Sequence, residues 1–179
     1  MKHVSRRTFV SGLAAAALPI LAAPRALFAS ALASRTLAFT HTHTGERLAV
    51  EYFSGGTYVP DALTAINHLL RDFRTGDVHV IDAGLLDLLH RLAAVTEAAR
   101  PFQIISGYRS PATNEMLRHK SEGVAAGSLH MKGQASDIRL ADVPLAKLRQ
   151  AALEVRRGGV GYYPASDFVH VDTGRVRAW

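Results

Sequence analysis

The chain has 179 residues, a length typical of one domain, and its 48% hydrophobic and 20% charged residues indicate a globular protein. It contains no cysteine, which excludes a disulfide framework, a thiolate nucleophile and a lipidated cysteine. The formal net charge is +6, but four of the 21 basic residues fall in the first 33 positions, where there is no acid. The other 17 basic and 15 acidic residues leave about +2, without a clustered basic stripe, so we predict no nucleic-acid partner.

Residues 1–33 are predicted to be an export signal. A basic start, an apolar Ala/Leu-rich stretch at residues 9–23 and small residues near position 31 have the order of a secretory signal, and the stretch is short for a membrane span. Residues 5–10 (SRRTFV) resemble the twin-arginine motif of bacterial proteins exported in the folded state. An ordinary secretory signal that carries two arginines is the alternative. Either route leads out of the cytoplasm, so we expect a periplasmic location, the twin-arginine export machinery as a partner, and no stable membrane span after cleavage.

The remaining residues, 34–179, are predicted to form one α+β domain. Alternating apolar and polar residues at 36–53, around a turn at Gly45, predict a β-hairpin. Helical spacing predicts a helix that starts at Pro60-Asp61 and ends by Gly76, and a second helix from Asp82 to a point before Pro101. Later segments predict strands at 102–106, 135–140, 160–163 and 168–173, a short helix around Asn114, a glycine-rich loop at 123–133 and a helix at 144–155. This pattern favours a small, mostly antiparallel sheet with helices packed on it.

Three side chains in the second half of the chain form a candidate metal site. His130 lies in the glycine-rich loop, Asp137 follows it by seven residues at the start of a strand, and His170 lies in a later strand. Because the chain has no cysteine, any metal must be held by histidine and carboxylate. Two histidines and one carboxylate suit a catalytic zinc, which takes three protein ligands and leaves a fourth position open.

Four segments around these residues resemble one known family. They are residues 106–111 (SGYRSP), residues 128–137 (SLHMKGQASD), residues 168–179 (FVHVDTGRVRAW) and the hairpin residues 43–46 (HTGE). Together they resemble the zinc D-alanyl-D-alanine carboxypeptidase and murein endopeptidase family, in the branch typified by murein endopeptidase K. That family shares its fold and metal site with the lysostaphin-type endopeptidases and the hedgehog signalling domain. The resemblance therefore implies a hedgehog/D-Ala-D-Ala peptidase-like fold for nearly the whole of residues 34–179.

The resemblance also implies roles for individual residues. His130, Asp137 and His170 would hold Zn²⁺, which activates water and polarises a carbonyl. Arg109 would bind a substrate carboxylate or stabilise the developing oxyanion, because a guanidinium presents a fixed fork of donors. Ser128 either binds the substrate backbone or caps the loop. Tyr108 is a further substrate-binding candidate, although packing is the simpler role for it.

Two acids are candidates for the general base that a zinc peptidase requires. Asp167 stands three residues before His170, where members of the family often place an acid. Asp172 stands two residues after His170, and residues two apart in a strand point to the same face. Asp172 has a second possible role, because a carboxylate beside a ligand histidine often orients its ring.

The remaining histidines need no catalytic role. His41 and His43 would share one face of a strand and so could bind a metal, but we favour a structural role beside the hairpin turn. The activity that the resemblance implies is hydrolysis of the cross-links between peptidoglycan stem peptides. Two alternatives stay open: a D-alanyl-D-alanine carboxypeptidase, and a non-catalytic cell-wall module with a structural zinc.

Overall fold

An eight-stranded mixed sheet runs through the part of the chain that the structure, a computed structural model, describes: residues 34–120 and 123–179. The predicted export signal lies outside these residues. The strand order is β3-β2-β1-β4-β5-β7-β6-β8, and all neighbours are antiparallel except the pairs β1/β4 and β6/β8. The strands are β1 (Arg35–His41), β2 (Arg47–Ser54), β3 (Thr57–Tyr58), β4 (Phe102–Ser106), β5 (Ala135–Leu140), β6 (Gly159–Tyr163), β7 (Phe168–Asp172) and β8 (Arg177–Ala178).

Four α-helices and two short 3-10 helices complete the described part of the fold. They are α1 (Pro60–Leu69), α2 (Ala83–Thr96), α3 (Pro111–Lys120), α4 (Leu145–Val155), and the 3-10 helices Leu129–Lys132 and Pro164–Ser166. Helix α2 begins next to Asp82, where the sequence predicted its start, and the Asp82 side chain caps it by accepting a hydrogen bond from the Gly84 amide at 2.9 Å. The α+β class and the mostly antiparallel sheet are confirmed. Among the described residues, no helix has the length and apolar character needed to span a bilayer.

Two segments differ from the sequence-based expectation. Helix α1 ends at Leu69 and the chain then turns, so that Phe73 lies beyond the helix and Gly76 adopts a left-handed φ of +81°. The loop predicted at residues 123–133 contains the 3-10 helix Leu129–Lys132, which Ser128 caps and which ends at Gly133, also in the left-handed region.

The core lies on one face of the sheet. A row of paired residues crosses the central strands β4, β5 and β7 through Ile104, Ile138 and Val169, all fully buried. Helix α1 packs on β2, α2 on β1 and on α4, and α4 on β5, β6 and β7. Because side chains alternate along a strand, the residues next to this row point to the opposite face. That opposite face of β5 and β7 carries Asp137 and His170.

A half-buried carboxylate ties the hairpin end of the sheet to α2. Asp87 in α2 accepts hydrogen bonds from Arg35 at 2.6 Å, from Tyr52 at 3.0 Å and from Tyr58 at 2.9 Å, so that it joins three strands. Burial raises the pKa of Asp87, but the hydrogen bonds from Arg35 and the two tyrosines outweigh burial, and the pKa is lowered overall. This cluster is remote in sequence and in the sheet order from β5 and β7.

His41 and His43 pack around the hairpin turn. The Nδ1 atom of His41 accepts from the amides of His43 at 3.2 Å and Thr44 at 3.4 Å, and the ring of His43 stacks on Phe73 with centroids 4.1 Å apart. His41 is fully buried, and burial lowers its pKa to about 4. These contacts suit the structural role that the sequence favoured for the pair.

Candidate active site

Three ligand side chains meet on the sheet face opposite the core. Asp137 in β5 and His170 in β7 are directly paired across the two strands, which places their side chains next to each other. His130 comes from the 3-10 helix Leu129–Lys132, whose first turn is held by the hydroxyl of Ser128 accepting from the His130 amide at 3.4 Å. All three are buried, with exposed fractions of 8% or less.

The mutual distances of the three ligand atoms fit a metal ion. His130 Nε2 lies 3.1 Å from His170 Nδ1 and 3.2 Å from Asp137 Oδ1, and the last two atoms are 2.9 Å apart. Ligands at about 2.0–2.1 Å from a tetrahedral ion stand roughly 3.3 Å from one another, close to these values. Among the described residues, this is the group of histidines and acids that could hold a metal.

Each of the two histidines has one ring nitrogen that faces the other ligand atoms and one that faces away. The contacts of the nitrogens that face away show that the inner nitrogens, His130 Nε2 and His170 Nδ1, carry lone pairs. His130 Nδ1 lies 2.7 Å from the Gly107 carbonyl oxygen, and because a carbonyl only accepts, this nitrogen carries the proton. His170 Nε2 lies 3.1 Å from Asp172 Oδ2 and donates to it in the same way. Two imidazole lone pairs and a carboxylate oxygen therefore converge, an arrangement that a cation satisfies.

The Asp172 carboxylate is hydrogen-bonded to the ring nitrogen of His170 that faces away from the other two candidate ligands. This carboxylate is fully buried and accepts from the amides of Gly159 at 2.9 Å and Gly174 at 2.8 Å, and Arg177 Nη2 lies 2.7 Å away. Burial raises the pKa of Asp172, but its hydrogen bonds to His170 and Arg177 and to the two amides lower it well below the ordinary value. The carboxylate binds the ring nitrogen that faces away from the three-ligand point. Of the two roles considered for Asp172 in the sequence, this geometry suits orientation of the His170 ring.

Asp167 lies at the edge of the site. It is the left-handed residue between the 3-10 helix Pro164–Ser166 and β7, with φ +54°, and its side chain is 64% exposed. Its carboxylate pairs with Arg139 at 2.8 Å. Its neighbours Ser166 and Phe168 line the cleft, whereas Asp167 itself is directed to Arg139. Its assignment as general base stays a prediction that requires this ion pair to open.

Arg109 lies beside the ligands and has few partners of its own. Its Nη2 stands 3.7 Å from Asp137 Oδ2 and its Nη1 stands 3.4 Å from Asn114 Oδ1, both long contacts. Its buried Nε has no hydrogen-bond partner among the described residues. Burial lowers the pKa of Arg109, yet a guanidinium stays charged at neutral pH. Arg109 lines the cleft, and its two terminal nitrogens, held only by long contacts, are free to bind an anion there.

Of the other two residues predicted to bind substrate, Ser128 and Tyr108, only Ser128 lines the cleft. Ser128 lines the cleft, and its hydroxyl also caps the loop, so both roles considered for it are compatible with its position. Tyr108 instead stacks on His79, with centroids 4.6 Å apart, and does not line the cleft. The stacked ring suits packing, the simpler role considered for Tyr108, and substrate binding by Tyr108 stays a prediction.

The cleft in front of the ligands has a volume of about 580 Å³ and an aromatic wall that the sequence analysis missed. Tyr163 and Phe168 stack with centroids 4.6 Å apart, and Trp179 Nε1 donates to the Tyr163 hydroxyl at 2.7 Å. The ring of Trp179 also stands 5.3 Å from that of His170. Residues of the glycine-rich segment 123–127 form the opposite wall. The sequence did contain a signal for this wall, because Phe168 stands two positions before His170 and Trp179 nine positions after it.

A buried His–Asp–His set at the floor of an open cleft, with a poorly paired arginine beside it, defines the class of metal-dependent hydrolases. The family model described as Peptidoglycan L,D-endopeptidase MepK matches residues 29–179. The chain therefore belongs to the peptidoglycan L,D-endopeptidase MepK family, which confirms the family predicted from the sequence motifs.

Curated relatives agree with this membership. The chain is 44% identical to the peptidoglycan L,D-endopeptidase MepK of Escherichia coli (strain K12) over 174 residues, which cover 97% of this chain and 96% of the relative. It is also 44% identical to the probable peptidoglycan L,D-endopeptidase MepK of Haemophilus influenzae over 146 residues, 81% of this chain and 78% of the relative. A Shigella flexneri relative of the same name is likewise 44% identical.

Proposed function

We propose that this protein is a zinc-dependent endopeptidase that hydrolyses peptide cross-links of peptidoglycan at an L,D bond. The observation that carries the proposal is the convergence of three lone-pair atoms, from His130, Asp137 and His170, within 3.2 Å of one another at the floor of the cleft. The names of the relatives support the substrate. When bound, zinc supplies Lewis acidity toward a carbonyl oxygen and toward water.

The protein's own side chains supply substrate binding. Arg109 meets the free carboxylate of the diamino acid beside the scissile bond, or the oxyanion that develops there, through donors that have no close partner in the protein. The hydroxyl of Ser128 and the aromatic wall formed by Tyr163, Phe168 and Trp179 border the path of the stem peptide. The Arg109 side chain is only 11% exposed, and its planar fork of donors matches the geometry of a carboxylate or oxyanion.

Asp167 is the acid that we propose as general base. Apart from Asp137, which is a ligand, no described residue lining the cleft carries a carboxylate. Asp167 flanks the lining residues Ser166 and Phe168, and its exposed ion pair with Arg139 is of the kind that contributes little to stability and opens readily. A change of side-chain rotamer is the step by which it reaches the cleft.

The substrate also implies the location. Peptidoglycan lies outside the cytoplasmic membrane, so we propose that the chain acts in the periplasm after export by the twin-arginine machinery. The support is the sequence SRRTFV at residues 5–10.

The decisive experiment digests intact sacculi with the purified protein, with and without a chelator, and analyses the muropeptides. We expect about one zinc per chain and conversion of cross-linked dimers to monomers, both lost in His130→Ala and in His170→Ala because two remaining ligands cannot hold a catalytic metal tightly. Full zinc occupancy in either variant would refute the site. Release of terminal D-Ala alone would favour a carboxypeptidase, and bound zinc with no product would favour a cell-wall binding module.

A further inference from the structure

The backbone segment that carries Arg109 is attached to a ligand histidine on one side. The Gly107 carbonyl accepts from His130 Nδ1 at 2.7 Å, and the Arg109 amide donates to the His130 carbonyl at 3.2 Å. These two contacts hold the backbone at residues 107–109 next to His130. The same segment also faces the turn that follows α1, and a second attachment is made there.

That second attachment comes from residues 70–72. The Tyr108 amide donates to the Leu70 carbonyl at 2.7 Å, and the Ser110 amide donates to Asp72 Oδ2 at 2.9 Å. The residues on both sides of Arg109 are therefore bound to one short turn. Of these two contacts, the one to Asp72 is made by a side chain and can be removed by substitution.

Asp72 is itself held in place. It is 1% exposed, its amide donates to the Asp77 carbonyl at 3.0 Å, and its Oδ1 accepts from the Arg74 amide at 3.0 Å. Burial raises the pKa of Asp72, but hydrogen bonds from the Thr113 side chain and from Ser110 outweigh burial and lower it overall. Asp72 is thus a charged acceptor at neutral pH, and charge-assisted hydrogen bonds are the stronger kind.

The guanidinium of Arg109 depends on this backbone support. Its contacts to Asn114 and Asp137, at 3.4 and 3.7 Å, are too long to hold it firmly. The position of its Cα and the direction of its backbone therefore determine where its donors point. A misplacement of about 1 Å can cost on the order of a hundredfold in rate even when the chemistry is untouched.

We propose that Asp72 is a positioning residue for the reaction: by holding the Ser110 amide, it fixes the direction in which Arg109 enters the cleft. The inference rests on the proposed function, specifically on Arg109 as the anion-binding residue. Asp72 does not touch the substrate or the metal ligands, so its removal acts through Arg109 and leaves the metal in place.

A double-mutant cycle tests this. We expect Asp72→Ala to lower kcat/KM for cleavage of purified cross-linked dimers by about tenfold to a hundredfold, with zinc content unchanged. Arg109→Ala alone should cost roughly a hundredfold or more. In the Arg109→Ala background, the Asp72 substitution should change kcat/KM by less than about threefold, because residues that act through one another are not additive.

Two further variants separate positioning from general loss of structure. Asp87→Asn removes a half-buried carboxylate that accepts several hydrogen bonds from strands remote from the cleft, so it lowers stability but should leave kcat/KM unchanged. Thr113→Val removes one hydrogen bond to Asp72 and keeps the side-chain shape, and it should lower kcat/KM by a few-fold in the same direction. Thr113→Val also serves as the test if Asp72→Ala does not fold.

The outcomes distinguish the inference from the function on which it rests. If Arg109→Ala is slow while Asp72→Ala and Thr113→Val retain wild-type kcat/KM, the positioning role of Asp72 alone is wrong. Equal losses from Asp72→Ala in both backgrounds also overturn it, because they show a structural effect independent of Arg109. If Arg109→Ala cleaves dimers at the wild-type rate, the proposed role of Arg109 fails, and the inference fails with it.

Discussion

Replacement of Asp172 by Asn tests whether this buried carboxylate prepares His170 for metal binding. The side chain is nearly isosteric, so its oxygen can keep the position of Oδ1 and continue to accept from the amides of Gly159 and Gly174. Its NH₂ group must then occupy the position of Oδ2, facing His170 Nε2 at 3.1 Å and Arg177 Nη2 at 2.7 Å. Donors would face donors, where the wild-type protein has two charge-assisted hydrogen bonds.

The ring of His170 can relieve this conflict in two ways, and both weaken the metal site. It can move its proton to Nδ1, the atom that stands 2.9 Å from Asp137 Oδ1 and would bind the ion, or it can rotate away from the shared point. Loss of such an outer partner typically costs 10–100-fold in metal affinity. We therefore expect the zinc dissociation constant to rise by about that factor, equivalent to roughly 1.4–2.7 kcal/mol.

The assay is competition for zinc against a chromophoric chelator at neutral pH, with Asp87→Asn as the matched control. That control also removes an aspartate paired with an arginine, but Asp87 is half-buried and lies in a cluster remote from β5 and β7, so the zinc affinity of the control should equal that of the wild type. Wild-type affinity in Asp172→Asn, within about twofold, would show that the hydrogen bond to His170 does not support the metal. Equal losses in both variants would point to general destabilisation.

The other predictions concern the base, the stability and the export of the chain. Asp167→Asn should lower kcat on cross-linked dimers by about 10²–10⁴-fold with zinc retained. The control Arg139→Ala, which frees Asp167 from its ion pair, should not lower kcat. A fully active Asp167→Asn variant would show that another group is the general base. Asp87→Asn should lower the free energy of unfolding at pH 7 by about 1–3 kcal/mol. Because the pKa of Asp87 is lowered in the folded state, its contribution to the free energy of unfolding is present above about pH 4 and is lost as the pH falls through the pKa of the folded state. Chemical denaturation should therefore show that the stability difference between wild type and Asp87→Asn narrows below about pH 4. A gap that stays constant into stronger acid would refute this linkage. Replacing Arg6 and Arg7 together by Lys should leave precursor in the cytoplasm, as cell fractionation would show, and normal export would indicate the general secretory route.

The elements were predictable because each carries a local signal. Alternation and a glycine turn predicted the β1–β2 hairpin, and helical spacing of apolar residues after Asp82 predicted α2. The end of α1 was predicted too late, because apolar spacing continued to Phe73 while the chain turned at Asp72 to meet the arginine segment. That turn is a tertiary requirement, and no window of sequence around α1 contains its partner.

The site shows the same division between local and tertiary information. Ligand types and motif spacing pointed to the three ligands, and strand alternation put Asp172 on the side of His170, as the structure does. Alternation does not tell which nitrogen of His170 meets Asp172, and that detail decides between a base and an orienting carboxylate. The packing of Tyr108 depends on its contact with His79, across a sequence separation that no local pattern encodes.

The proposed metal ligand His130 and the proposed substrate-binding residue Arg109 are attached to one short segment of backbone. Gly107 supplies the carbonyl that fixes the tautomer of His130, and two residues later the same segment presents Arg109 to the cleft. A Cβ at position 107 would come 2.4 Å from the Leu70 carbonyl oxygen, so a residue with a side chain would push the segment away from its attachment at the end of α1. That displacement would move the hydrogen bond to His130 and the guanidinium together. Both proposed roles, metal binding by His130 and anion binding by Arg109, therefore require glycine at position 107, because a side chain there would displace the two residues together.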